Sequence, residues 1–167
     1  YNWVREITEM WRPKDTVVLL DGKTELPGKL PDWTVMSYGM LNHYLPKLRR
    51  AGFKALLIDE AHLVKNMETA RTKNILELVA PQESNPGDKI IPNRLAITGT
   101  PVLNRPIELF ALLVFLGVKN RSDFKDFLTI YTDHKEYKGR LIFTGAKNLY
   151  GLHESLKPFM LRRLKKD

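Results

Sequence analysis

The stretch Leu56-Leu57-Ile58-Asp59-Glu60-Ala61-His62 decides the fold. It belongs to an apolar run from Phe53 to Ile58, interrupted only by Lys54, that ends abruptly in two carboxylates. Such a run suits a strand buried on both faces, as in parallel sheets. Val17-Val18-Leu19-Leu20 closes on Asp21-Gly22 and reads as a strand. Thr34 to Ser37 and Leu95 to Thr98 read as two more. Between them the periodicity predicts helices over 2–11, 39–50, 66–79 and 105–116. In the first, Trp3, Val4, Ile7, Met10 and Trp11 form an apolar stripe, which predicts that Trp3 and Trp11 pack as core. Strands alternating with helices imply an α/β fold with a parallel sheet.

After Gly117 the pattern changes. Residues 121–131 read as a helix with Phe124, Phe127, Leu128 and Tyr131 on one face. Residues 132–147 are polar and irregular apart from Leu141-Ile142-Phe143, and residues 148–164 read as helical up to Pro158. The expected organisation is an α/β domain over 1–118 followed by a helical segment over 119–167. The 167 residues carry 27 basic and 19 acidic side chains, a net charge of +8. Residues 1–118 hold 15 basic and 13 acidic groups, and residues 119–167 hold 12 and 6. A basic segment beside a balanced one fits a polyanion partner such as nucleic acid, or else a solubilising face. No apolar run approaches the ~18 residues of a membrane helix. Cysteine is absent, which excludes disulfide scaffolds and cysteine zinc sites. The four histidines lack metal-ligand spacing.

Chemistry concentrates at two strand ends. Ligands of open α/β sheets bind outside the carboxyl ends of the strands, where Asp59 and Glu60 fall. One carboxylate there can hold Mg²⁺ and its neighbour can activate a water. The plainer reading is a solvated turn with Asp59 capping a helix. The second strand end, Leu95-Ala96-Ile97-Thr98-Gly99-Thr100-Pro101, offers small side chains and two hydroxyls able to bond a carboxylate or imidazole.

In series these motifs resemble the first RecA-like lobe of superfamily-two helicase-type ATPases, specifically the Swi/Snf branch of DNA translocases. Asn2 to Ile7 resembles the segment after motif Ia, Val35-Met36-Ser37-Tyr38 motif Ib, Leu57 to Asn66 motif II with its Asp-Glu-Ala-His box, and Ala96 to Asn104 motif III. Gly145 to Leu156 and the basic end from Met160 to Asp167 resemble the family's helical protrusion. Arg105 to Leu109 and the Gly-Ala-x-Asn-Leu segment incline toward the annealing-helicase branch. The resemblance implies a RecA-like parallel sheet flanked by helices, with a C-terminal helical protrusion. It implies that Asp59 holds the Mg²⁺ of Mg-ATP through water and that Glu60 activates the attacking water. His62 would link that site to Thr98, Gly99 and Thr100, which couple hydrolysis to lobe movement. Lys65 and Asn66 would fix the loop after motif II. Ser37 and Tyr38 would lie near the backbone of double-stranded or branched DNA. Arg162, Arg163, Lys165 and Lys166 would either touch phosphates or form a solvated linker to a second RecA-like lobe.

The family's phosphate-cradling loop is expected upstream of Tyr1 and the second lobe downstream of Asp167. Gly22-Lys23-Thr24 imitates the end of that loop, but Val17 stands where its first glycine belongs and Pro27 follows. It is therefore expected to be a turn. The parent protein is expected to be an intracellular DNA-dependent ATPase, cytoplasmic in a bacterium, archaeon or phage and nuclear in a eukaryote. The isolated chain is expected to be inactive. The rivals are another superfamily-two nucleic-acid ATPase and a degenerate binding module that keeps the fold without turnover.

Overall fold

The computed structural model describes residues 2–80, 89–99, 105–138 and 140–161. It comprises two compact units, Tyr1–Asp59 with Asn66–Ile97, and Glu60–Lys65 with Thr98–Asp167. The compositional boundary at residue 118 is not where these units divide. The helix at 107–115 belongs to the second unit, because it packs on the short turn after Glu60 and on the helix that follows it.

In the first unit, helix α1 (Asn2–Arg5) continues as a π-helical segment, Glu6–Trp11, in which Arg12 N donates to Ile7 O at 2.8 Å. A π turn takes more residues than an α turn, so three- and four-residue spacing no longer keeps side chains on one face. The expected apolar stripe is therefore broken. Ile7 is buried, but Met10 and Trp11 are 69% and 57% exposed, and Trp3 is half-buried.

Strand β1 (Val17–Leu20) pairs parallel with β2 (Trp33–Met36). A 3-10 turn, Tyr38–Met40, then leads into α2 (Leu41–Ala51), which buries Leu41, Tyr44, Leu45 and Leu48 at helical spacing. Gly52 ends α2 at φ +83, and a Cβ there would meet Lys89 Cδ at 2.7 Å. Strand β3 (Ala55–Ile58) pairs parallel with β4 (Asn93–Ala96). Between them α3 (Ala70–Leu78) is capped by the Thr69 side chain and packs on α2, where Arg49 Nη1 meets Glu77 Oε1 at 2.7 Å. Arg94 donates to the Val79 and Ile91 carbonyls, joining the end of α3 to β4.

The pairing in the first unit is parallel, as expected, but its described strands form two separate two-stranded ladders. This overturns burial of the Phe53–Ile58 run on both faces. Side chains alternate across a ladder. Ile58 is buried, whereas Leu57 and its partner Leu95 are 37% and 50% exposed on the opposite face. Strands β2 and β4 also begin one and two residues earlier than the patterns imply.

In the second unit, α4 (Ile107–Phe115) buries Leu109 to Leu113 and Phe115, as a helix apolar all round must. The Phe110 ring packs at 5.1 and 5.2 Å from Phe124 and Phe127 of α5 (Phe124–Tyr131). The segment read as irregular is instead an antiparallel hairpin, β5 (Thr132–Tyr137) with β6 (Arg140–Ala146). Its first strand lacks apolar alternation, so periodicity missed it; the informative signal was Lys138-Gly139 between two extended runs. Lys138 takes φ +49 at that turn. Helix α6 (Leu149–Leu156) follows, with Leu152 and Leu156 buried. Among the described residues no helix is long and apolar enough to cross a membrane.

Gly22-Lys23-Thr24 is a bend between β1 and β2, and no helix starts from it. Asp21 Oδ1 accepts from Lys23 N and Thr24 N at 2.9 Å each. The buried Tyr44 hydroxyl accepts from Gly22 N and donates to Thr24 O. The backbone donors of Thr24 and Lys23 lower the Asp21 pKa from 3.8 to about 2. A carboxyl whose folded pKa is depressed stabilises the fold above its unfolded pKa and loses that contribution as pH falls through the folded value. The stability gap between the native chain and Asp21→Ala is thus expected to be constant above pH 3.8 and to shrink toward pH 2. Chemical denaturation across that window checks it, and a gap that does not change with pH would contradict it.

Candidate functional site

In the first unit, interest centres on Asp59. Ile97 N donates to Ile58 O at 2.8 Å, and the ladder between β3 and β4 ends there. The next carbonyl, of Asp59, accepts from the Tyr38 hydroxyl at 2.5 Å. One carboxylate oxygen of Asp59, Oδ2, accepts from Trp3 Nε1 at 2.8 Å. The Tyr38 ring in turn lies under the Arg71 guanidinium, 5.3 Å from its centroid, a cation–π distance. Asp59 therefore receives donors from residues 56 and 21 positions away in sequence.

In the second unit, Glu60 occupies the cap position of a 3-10 turn, Ala61–Val64, at φ +47 and ψ +46. The helix-capping role considered for Asp59 thus falls to the next residue, whose side chain makes no capping bond. A non-glycine residue in this region carries strain of roughly 1–3 kcal/mol and is a feature of functional sites. Glu60 Oε2 lies 3.2 Å from His62 Nδ1, and the same nitrogen lies 3.2 Å from Thr98 Oγ1. In the His62–Thr98 bond either partner can donate, according to the tautomer of the ring. Lys65 Nζ lies 3.4 Å from Glu108 Oε1, tying the residues after His62 to α4. In the first unit Asn66 Oδ1 accepts from Glu68 N, ahead of the Thr69 cap of α3.

Of the residues singled out from sequence, His62 is hydrogen-bonded to Thr98 and lies 3.2 Å from the Glu60 carboxylate, and Asp59 and Tyr38 meet through a separate hydrogen bond. Ser37 is exposed at the start of the 3-10 turn and makes no side-chain capping bond. Gly99 is exposed, and a Cβ there would touch nothing within 4 Å, so no close backbone approach demands it among the described residues. Thr100, Arg162, Arg163, Lys165 and Lys166 lie outside the described residues. Sequence reasoning missed Trp3, Arg71 and Glu108. Trp3 carried a faint signal, since an indole at the start of an amphipathic segment has a polar edge that seeks an acceptor.

The strain at Glu60 can be isolated by comparing two variants that both lack the carboxylate. Glu60→Gly is expected to be more stable than Glu60→Ala by about 1 kcal/mol or more, because glycine takes positive φ without a Cβ penalty. Equal unfolding midpoints for the two would show that position 60 is unstrained.

A family model described as the SNF2-related domain matches residues 1–167. The "ISWI chromatin-remodeling complex ATPase ISW1" of Saccharomyces cerevisiae is 31% identical over 99% of this chain and 14% of its own length. The "DNA annealing helicase and endonuclease ZRANB3" of Mus musculus is also 31% identical, over 100% of this chain and 16% of its own. Since both stand at the same identity, the match is to the family rather than to one branch. This chain spans about one-seventh of such relatives. Among solved structures, the Sulfolobus solfataricus SWI2/SNF2 ATPase core in complex with dsDNA superposes with a TM-score of 0.73. It covers 99% of this chain and 32% of that one, and at 22% identity it speaks for the fold. A model matched from end to end, with relatives above 30% identity over the whole chain, places this protein in the SNF2-related domain family.

Proposed function

We propose that this chain is the motif Ia to motif III part of the first RecA-like lobe of a DNA-dependent ATPase that moves along double-stranded DNA. The observation that carries the reading is the Glu60–His62–Thr98 set, which links two motifs 36 residues apart. Membership in the SNF2-related family supports nucleotide use, and the solved core with dsDNA supports the choice of DNA. The annealing-helicase affinity read from Arg105 to Leu109 is the narrower form of the proposal.

The residues present fit Mg²⁺ and not a caged metal. Among the described residues no three His, Cys, Asp or Glu side chains gather to hold an ion, and Asp59 is a single exposed carboxylate. Mg²⁺ keeps several waters and needs only one or two protein carboxylates besides phosphate oxygens. When bound, it would neutralise charge on the β- and γ-phosphates. Asp59 is the residue that would hold it, through water. Glu60 orients a water toward the γ-phosphorus and takes its proton as the new P–O bond forms and ADP leaves. The His62 ring, 3.2 Å from the Glu60 carboxylate, limits its orientation, and the Thr98 hydroxyl bonded to the same ring makes that orientation sensitive to motif III. Thr100 would act beside Thr98. Ser37 and Tyr38 would face the DNA backbone, with Arg162, Arg163 and Lys165 near phosphates. Residues 119–167 would lead toward a second lobe that completes the site, so the isolated chain would not turn over.

The test is ATP hydrolysis by the full-length natural protein, with and without duplex DNA, beside its Glu60→Gln variant. DNA-stimulated turnover that falls by roughly 10²–10⁴ in the variant is expected, the usual contribution of a general base. Absent turnover with DNA binding retained would replace this reading with a non-catalytic binding module.

A further inference from the structure

We infer that Trp3 is a positioning residue for the metal-holding carboxylate, its indole N–H fixing the side chain of Asp59 in one orientation. The inference rests on the role proposed for Asp59 and adds to it a residue from the far end of the first unit. Its basis is the 2.8 Å bond from Trp3 Nε1 to Asp59 Oδ2, together with the Tyr38 hydroxyl on the Asp59 carbonyl. Main chain and side chain of the same residue are thereby both held by neighbours from elsewhere in the unit.

An exposed aspartate just beyond the end of its strand rotates about two side-chain torsions. Mg²⁺ demands near-octahedral geometry and dehydrates reluctantly, so a carboxylate already oriented binds it at lower entropic cost. Partners that orient metal-holding carboxylates by hydrogen bonds are a general device, and their loss typically costs about 10–100-fold in metal affinity or activity. The nature of the donor matters as well. Indole is a donor only and carries no charge, so it orients the carboxylate without neutralising it. A lysine or arginine in the same place would form an ion pair and compete with the cation. Trp3 is itself held, half-buried and edge-on to Trp11 with ring centroids 6.1 Å apart. The π-helical segment that brings Trp11 to the surface therefore also supports the indole that reaches Asp59.

The experiment uses the full-length natural protein and two probes. In the first, ATP hydrolysis with duplex DNA is followed against Mg²⁺ concentration for the native protein and for Trp3→Phe. The Mg²⁺ needed for half-maximal rate is expected to rise about tenfold. The rate at saturating Mg²⁺ should change by less than about threefold, because the reacting groups remain in place. If Trp3→Phe melts below the assay temperature, benzothienylalanine at position 3 decides. It keeps the shape of tryptophan and replaces the N–H with sulfur. The second probe is the Trp3 indole ¹H–¹⁵N resonance. It should shift in Asp59→Ala, and it should broaden when Mn²⁺–nucleotide is added to the native protein. An unchanged Mg²⁺ requirement in a folded variant lacking the N–H would overturn the inference. So would an indole resonance blind to Asp59→Ala. A native protein with no ATP hydrolysis would instead remove the functional reading, leaving the Asp59→Ala shift to decide whether Trp3 holds that carboxylate.

Discussion

A parallel ladder must stop somewhere, and the ladder between β3 and β4 stops at Ile58, whose carbonyl accepts from Ile97 N. Beyond it the backbone polar groups still need partners, since a polar group left unpaired away from water is costly. Tyr38 supplies the partner for Asp59 from a turn after β2, and the indole of Trp3 adds a bond to its side chain. The following residue, Glu60, then enters the left-handed region and starts the 3-10 turn that carries Ala61 and His62. The candidate chemistry is in this sense a consequence of how one strand ends. Two acidic residues leave the ladder in succession, and each meets its own set of neighbours.

Those two sets differ in character. An indole donates to the Asp59 side chain and a phenol to its main-chain carbonyl. The Glu60 carboxylate lies beside an imidazole that also bonds a hydroxyl from the second motif.

Local geometry also explains where the apolar pattern misleads. Trp3, Ile7, Met10 and Trp11 would share a face on a regular α-helix, but the π-helical segment rotates the later ones outward. Leu57 and Leu95 look like core from their neighbours, yet they stand opposite one another on the exposed side of a two-stranded ladder. Hydrophobicity states what a residue would gain by burial. It does not state whether anything arrives to cover it.

The order of strands and helices up to α4, the parallel α/β class, the apolar character of α4 and the placement of Asp59 and Glu60 at a strand end were legible in the sequence alone. All follow from short-range periodicity and abrupt changes of residue type, which act over a few residues. The same holds for the bend at Gly22-Lys23-Thr24, since the absent first glycine and Pro27 forbid its alternative. The hairpin over 132–146 was hidden because its first strand has no alternating apolar face; turn geometry and backbone pairing make it. The partners of the candidate residues were hidden for a different reason. Trp3 meets Asp59 across 56 positions and His62 meets Thr98 across 36. Such meetings depend on where the chain returns after each helix, a property of the packed whole, so the residue types were determined locally and their hydrogen-bond partners only by tertiary structure.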